Sequence, residues 1–385
     1  MKTSNLSGPT LNLGMSFALV LALVALQLAP SSLAKDWSMG RADATGAAAT
    51  ADALPDKIDL LWELEIEGLG FDAGPIIADG KVFANDHDGR LLAIDLATGE
   101  EVWRKEYEAG FVATPSYKDG LLFAADYEGV LHAIEVETAE EKWSFESGAE
   151  VTGSPVFYEE SVVFTSQSGS LFRLDRKSGK EVWRYETDEP ILCGASLAGD
   201  ITFLGGCDEQ LHVVDLKTGK RIGEPITIGP TQSTPCAVAD GVLIPTQGGE
   251  IYHFAVGKEG HNLEKRWTFN DRKMASEFRS SLAVADGIVI ATGSSKRVFA
   301  VDLKTGEVLW HNILRRRASA SPIIVAGTAI AATTDGNIYQ YDLKSGKELW
   351  QTQLKGSFLG APAAADGKLV LVNDRGTIFC FGEKS

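Results

Sequence analysis

Three kinds of residue in this chain have the chemistry to act on a ligand: six histidines, four cysteines and one Asp-x-Asp-Gly run. Histidines could hold a metal or move protons. His132 and His212 fall at the same place in two sequence repeats, where other copies hold Leu92, Phe172, Tyr252, Phe299, Tyr339 and Phe379. A place filled by large rings is a packing place. His87, His253, His261 and His311 are scattered, so no metal site is expected. Asp86-His87-Asp88-Gly89 resembles the start of a calcium loop, but no Glu follows at the required spacing. Other repeats carry ordinary hairpin turns there, and the turn reading is preferred. No Gly-x-Ser-x-Gly, phosphate loop or His-Glu-x-x-His is present, so no catalytic residue is expected. Cys193 and Cys207 flank a hairpin turning at Gly199-Asp200 and come almost opposite one another. Either they form a disulfide or all four cysteines stay reduced and buried. Cys236 and Cys380 fall in different repeats and read as free thiols.

The elements around these residues follow from tryptophan spacing. Trp62, Trp103, Trp143, Trp183, Trp267, Trp310 and Trp350 lie at steps of 41, 40, 40, 84, 43 and 40. The long step is two periods with Gly223 in the vacant place; Trp37 lies outside the series. A fixed period near 40 marks a repeat architecture. Within each period, short apolar runs alternate with Asp-Gly or Glu-Gly turns and no stripe has helical spacing. Four short antiparallel strands per period make a propeller blade. Eight units begin near Gly74, Thr114, Ser154, Ala195, Thr234, Ser280, Ser321 and Ala361. The last ends without a tryptophan strand, and the chain supplies an orphan one at 58–66. The expectation is an all-β, eight-bladed propeller over 58–385, closed by the N-terminal strand joining the last blade.

Residues 1–34 read as an export signal, with an apolar run from Met15 to Ala29 and a Ser-Leu-Ala cleavage site. Residues 35–57, rich in Ala, Asp, Gly and Thr, read as a flexible tether. The net charge of −17, from 53 acidic and 36 basic residues, disfavours nucleic-acid binding. With no other long apolar segment, a soluble, extracytoplasmic chain without a membrane span is expected, monomeric outside any complex.

Asp-x-x-[Ser/Thr]-Gly-x-x-x-Trp recurs in full at Asp95/Gly99/Trp103, Asp175/Gly179/Trp183, Asp302/Gly306/Trp310 and Asp342/Gly346/Trp350. Asp215-Thr218-Gly219 keeps the turn without the ring, and Glu135-Thr138-Ala139-Trp143 is a degenerate copy. Asp and Ser/Thr can bond backbone groups in a turn, Gly can take a positive φ, and Trp can pack on the next blade. The role expected of these residues, and of Trp62, is structural.

The motif resembles the tryptophan-docking repeat of pyrroloquinoline-quinone-type propellers. Eight units with nothing appended most resemble the outer-membrane assembly factor B (BamB) family. That resemblance implies a non-enzymatic scaffold bound to the β-barrel assembly machinery, with no cofactor. The best-studied members are lipoproteins, and the lipobox Cys is absent here. Quinone-dependent dehydrogenases of alcohols or sugars share the fold and are the alternative. They commonly show two adjacent cysteines, a calcium held by carboxylate and amide groups, and a catalytic Asp, and no two cysteines here are adjacent.

Two surfaces are candidates for a protein partner. Residues just before each first strand should line one mouth of the axial channel; these include Phe111, Val112, Leu192, Phe278, Arg279 and Phe358. They either form an exposed apolar rim or fold inward. Arg315-Arg316-Arg317 is a basic run in an acidic chain; such a run is usually solvated surface, and if it functions, with Arg279 and Lys273, it would suit an acidic partner segment.

Overall fold

The structure, a computed structural model, describes residues 36–257, 262–270 and 277–384. Eight sheets follow one another along the chain, each built on four antiparallel strands joined in chain order, and no described residue is α-helical. Blade 1, for example, runs Ile76–Ala78, Lys81–Asn85, Arg90–Asp95 and Glu101–Glu106. The first strand of a blade is the short inner one and the fourth is the outer one. In blade 8 the outer strand is Asp59–Glu65, which pairs antiparallel with the C-terminal strand Thr377–Gly382. The ring is therefore closed by both ends of the chain, which removes an open sheet edge at the seam.

Tryptophan and glycine make the joints between blades. Trp62, Trp103, Trp143, Trp183, Trp267 and Trp310 each donate Nε1–H to a main-chain carbonyl of the next blade, at 2.8–3.1 Å. The acceptor always follows the first residue of the turn motif, as Leu343 follows Asp342. The register slips by one residue beside each of these rings, as between Glu141 and Trp143, and such a bulge re-aims the side chain. Trp350 meets Phe381 edge-on at 5.6 Å. The motif Asp shapes the landing turn. Asp95 Oδ1 accepts from the backbone N–H of Thr98 and from its hydroxyl, and these bonds hold the carboxyl below its ordinary value.

The motif glycines need a correction to the sequence reading. A positive φ is the whole role expected of Gly99, Gly179, Gly306 and Gly346, and they do take φ of +75°, +69°, +75° and +69°. Contact adds a second requirement. A Cβ on Gly99 would lie 2.6 Å from Trp62 Cδ2, on Gly179 2.6 Å from Trp143, on Gly306 2.7 Å from Trp267 and on Gly346 2.5 Å from Trp310. Each glycine thus receives the ring of the preceding joint, and not the tryptophan four residues further on in its own motif. Gly99 and Trp103 serve different joints, as do Gly179 and Trp183, and Gly306 and Trp310. The physical reason is that the turn and the outer strand after it meet the neighbours on opposite sides of their own blade. The turn faces one neighbour, and the outer-strand ring reaches the other.

Gly346→Ala is expected to cost about 2–4 kcal/mol by denaturant unfolding, combining the backbone and overpacking penalties. Gly80→Ala, with φ +68° but open space around the added carbon, should cost about 1 kcal/mol.

One joint lacks the tryptophan itself. Gly223 replaces the tryptophan in blade 4, whose outer strand shrinks to Ile226–Thr227. Blade 5 has in turn lost the Asp-x-x-Thr-Gly landing turn. Hydrogen exchange should be faster in Ile226–Thr227 than in Glu181–Glu186, the outer strand of blade 3. Equal protection of the two would contradict a looser joint.

The tether expected at 35–57 is not one. Residues 37–52 run round the axial channel and bond the blades in turn. Trp37 exchanges both backbone bonds with Ile77 of blade 1, and the carbonyl of Ser38 accepts from Tyr117 N of blade 2. Gly40 N donates to Ser154 Oγ of blade 3. The carbonyls of Ala44, Thr45, Ala47 and Ala48 accept from Leu197, Ala237, Val284 and Ile324, in blades 4 to 7. Asp52 Oδ2 accepts from Asp366 N in blade 8. Ala49–Thr50 pairs parallel with the inner strand of blade 7. The physical reason is that every inner strand presents unpaired N–H and C=O groups to the channel. A run of small residues fits there and satisfies them. Trp37, Ala48 and Ala49 are buried, and Arg41 places Nη2 on the carbonyls of Leu282 and Pro322. The expected export signal, residues 1–34, lies outside the described residues.

Candidate partner-binding site at the axial mouth

At the mouth where the inner strands begin, the aromatic residues do not form an exposed rim. Phe111, Phe278 and Phe358 are all buried. Phe111 meets Tyr107 edge-on at 5.5 Å, Phe278 lies 6.2 Å from Phe269, and Phe358 lies 6.3 Å from Phe379. Each ring is thus part of the core between blades, because the chain turns inward there to begin a three-residue strand. Val112 and Leu192 are half-buried. Among the described residues these rings form no apolar docking surface at this mouth.

What remains open here is polar. Gln232, Glu277, Arg279, Ser280, Ser294, Arg317 and Ser319 line a pocket of about 410 Å³ between blades 5, 6 and 7. Arg279 comes from the loop entering blade 6 and Arg317 from the loop entering blade 7, so the closed ring brings two exposed guanidinium groups to one opening. Arg279 Nε donates to Glu277 at 2.9 Å. Arg317 has no ion-pair partner among the described residues. Arg315 and Arg316 are exposed outside the pocket, and Arg315 faces Asp335 at 3.5 Å. Lys273 lies outside the described residues. The pocket can hold a carboxylate against Arg317 and has hydroxyls for further bonds.

The disulfide is a further correction. Cys193 and Cys207 are both free. Extending the register Ser196↔Phe203 puts Cys193 opposite Gly206 rather than Cys207, and a slip of one residue turns the two side chains to opposite faces. Cys193 Sγ donates to the carbonyl of Gly205, and burial pushes its thiol up to about 12. Such a thiol is inert at neutral pH. Cys207 is exposed.

The histidine places hold more than packing. His132 is buried and bridges Asp126, at 3.1 Å from Nε2, and Glu141, at 2.9 Å from Nδ1. His212 bridges Asp208 and the Tyr185 hydroxyl at 2.6 and 2.9 Å. The Asp126 carboxyl is raised by desolvation, but the His132 and Val130 hydrogen bonds outweigh that and hold it below the ordinary value. These groups tie the turn after the second strand to the outer strands. In the Asp86 run, Oδ1 accepts from the backbone of Asp88 and Arg90 and Oδ2 pairs with Arg90 Nε. That carboxylate caps a turn.

No group of three or more His, Cys, Asp or Glu among the described residues is placed to hold a metal ion. A quinone with its calcium does not fit this pocket: among the described residues no Asp or Cys lines it, and its one carboxylate is paired with Arg279.

Fold and joints together define an eight-bladed propeller of the tryptophan-docking, quinoprotein-like class. The family model described as "Outer membrane protein assembly factor BamB" matches residues 59–191, 88–312 and 190–385. The chain belongs to that family. A BamB of Xanthomonas campestris pv. campestris is 36% identical over 93 residues, which is 22% of this chain and 23% of that protein. A BamB of Aliivibrio fischeri is 35% identical over 69 residues, 15% of this chain and 18% of its own. The matched segments thus span less than a quarter of either relative. Among solved structures, BamB from Moraxella catarrhalis superposes with a TM-score of 0.71 at 17% identity, covering 85% of this chain and all of that one. Quinohemoprotein alcohol dehydrogenase from Comamonas testosteroni gives 0.75 at 13% identity, covering 92% and 82%. At these identities the likeness is one of fold.

Proposed function

We propose that this protein is an exported, non-catalytic scaffold of outer-membrane β-barrel assembly, which holds an acidic segment of a partner at the Arg279–Arg317 pocket. The observation that carries this reading is the family match over the whole ring, residues 59–385. The site follows from electrostatics. In a chain of net charge −17, a mouth offering one unpaired guanidinium beside a second is a local exception, and charge complementarity selects an acidic partner. Residues 1–34 supply the export signal. No described helix is long and apolar enough to cross a membrane.

Crosslinking the full chain in envelope extracts, followed by affinity capture, tests the proposal. Components of the barrel-assembly machinery should be recovered; recovery of none removes the role. The dehydrogenase alternative makes the opposite prediction. Protein incubated with pyrroloquinoline quinone and calcium would oxidise alcohols or sugars with a dye acceptor, and turnover of that kind would replace the scaffold reading.

A further inference from the structure

The joint between blades 4 and 5 has lost both halves of the lock, and the loss leaves a cavity. Ile201, Val213, Ile222, Ile226, Val256 and Leu263 wall about 200 Å³, with Glu224 and Asn262 at its edge. Val256 stands where the other joints place the carbonyl that receives the indole N–H, one residue after the turn's first position. The other seven joints fill this place with a tryptophan ring, six of them with its N–H bonded to that carbonyl. The apolar wall residues are half-buried, so the space is a surface groove, and its volume exceeds the roughly 150 Å³ that accommodates a benzene ring.

We infer that the blade 4–5 joint is a binding site for a free, neutral aromatic molecule of one or two rings, of which indole is the type. Shape comes from the vacated tryptophan place and the apolar walls supply the affinity. Glu224, whose Oε2 accepts from Arg221 Nη2 at 3.1 Å, is the one charged group lining the site; its remaining lone pairs accept a bond from a ring N–H or O–H, and a ligand carboxylate placed against it is disfavoured. The site is remote from the Arg279–Arg317 mouth in sequence and residues, and it does not rest on the scaffold role.

The test uses the full chain and indole itself, followed by saturation-transfer NMR and calorimetry. Saturable binding of one indole per chain is expected, with a dissociation constant on the order of 1 mM, as a ligand of this size allows. Indole-3-acetate, carrying a carboxylate, should bind at least about 5-fold more weakly. Ile226→Trp places a ring in the cavity and should abolish binding while leaving the circular dichroism and melting unchanged or improved. Ile226→Ala, which widens the cavity, should retain binding and so separates filling from simple loss of Ile226. No saturable binding, equal binding of indole-3-acetate, or binding that survives Ile226→Trp in a folded protein would each overturn the inference.

Discussion

Trp37→Ala is expected to destabilise the ring by about 3–5 kcal/mol, the cost of emptying a fully buried aromatic site. Trp37 has no solvent exposure and packs in the same core as Ile77, Leu92 and Phe71. Its backbone N and O both bond to Ile77 at 2.8 and 2.9 Å. The substitution keeps the backbone bonds and removes the ring, so it isolates packing from main-chain pairing. Chemical denaturation followed by tryptophan-independent circular dichroism should show a lower midpoint with an unchanged slope. Leu69→Ala, at a side chain 68% exposed, should shift stability by less than about 0.5 kcal/mol. A Trp37 effect as small as that of Leu69 would mean that the N-terminal segment is draped over the channel without stabilising it.

The double charge reversal Arg279→Glu with Arg317→Glu is expected to reduce capture of the barrel-assembly partner at least about 10-fold at physiological salt. Two favourable charge contacts become repulsive, and like-charge juxtaposition across an interface costs several kcal/mol. Raising the salt should weaken the wild-type complex and narrow the gap between wild type and variant, because these guanidinium groups are exposed and screened. Both side chains lie at the surface, so the fold should be unaffected. Arg316→Glu makes the same change of charge outside the pocket and should alter capture by less than about 3-fold. If Arg316→Glu is as damaging as the double variant, the basic run acts through its overall field, and the pocket is not the site.

The ring was legible in the sequence because it is made by repetition. A tryptophan every 40 residues or so, an Asp-x-x-Thr-Gly turn before it and period-two strands between are local signals, and local signals survive without a structure. The orphan strand at 58–66 and the unfinished last unit also announced the closure. The misread features all depend on what lies across the ring. Gly99, Gly179 and Gly306 stand four residues before a tryptophan, yet the ring that each receives comes from about 36–39 residues earlier in the chain. The composition of residues 37–50 is that of a flexible linker, yet those small side chains are the ones that fit a narrow channel, and their main chain bonds the inner strands of six blades. The direction of Phe111, Phe278 and Phe358 is set by the following strand, and three residues are too few to show which way it faces. Cys193 and Cys207 were misplaced by a single residue of register, which in a strand is the whole difference between facing and opposing sides. Asp126, His132 and Glu141 come from three segments of one blade, and only their pairing assembles them.

The passage of residues 37–52 from blade to blade has a consequence for how such a ring can change. Repeat arrays readily gain or lose a unit when the contacts are between neighbours alone. Here one continuous strand of chain is threaded through every unit in order, with its bonds allotted from Ile77 in blade 1 to Asp366 in blade 8. A ring of seven or nine copies would leave that thread too long or too short at once. The thread therefore acts as a tally of copy number: duplication or deletion of a blade carries an immediate cost that the blade joints alone would not impose.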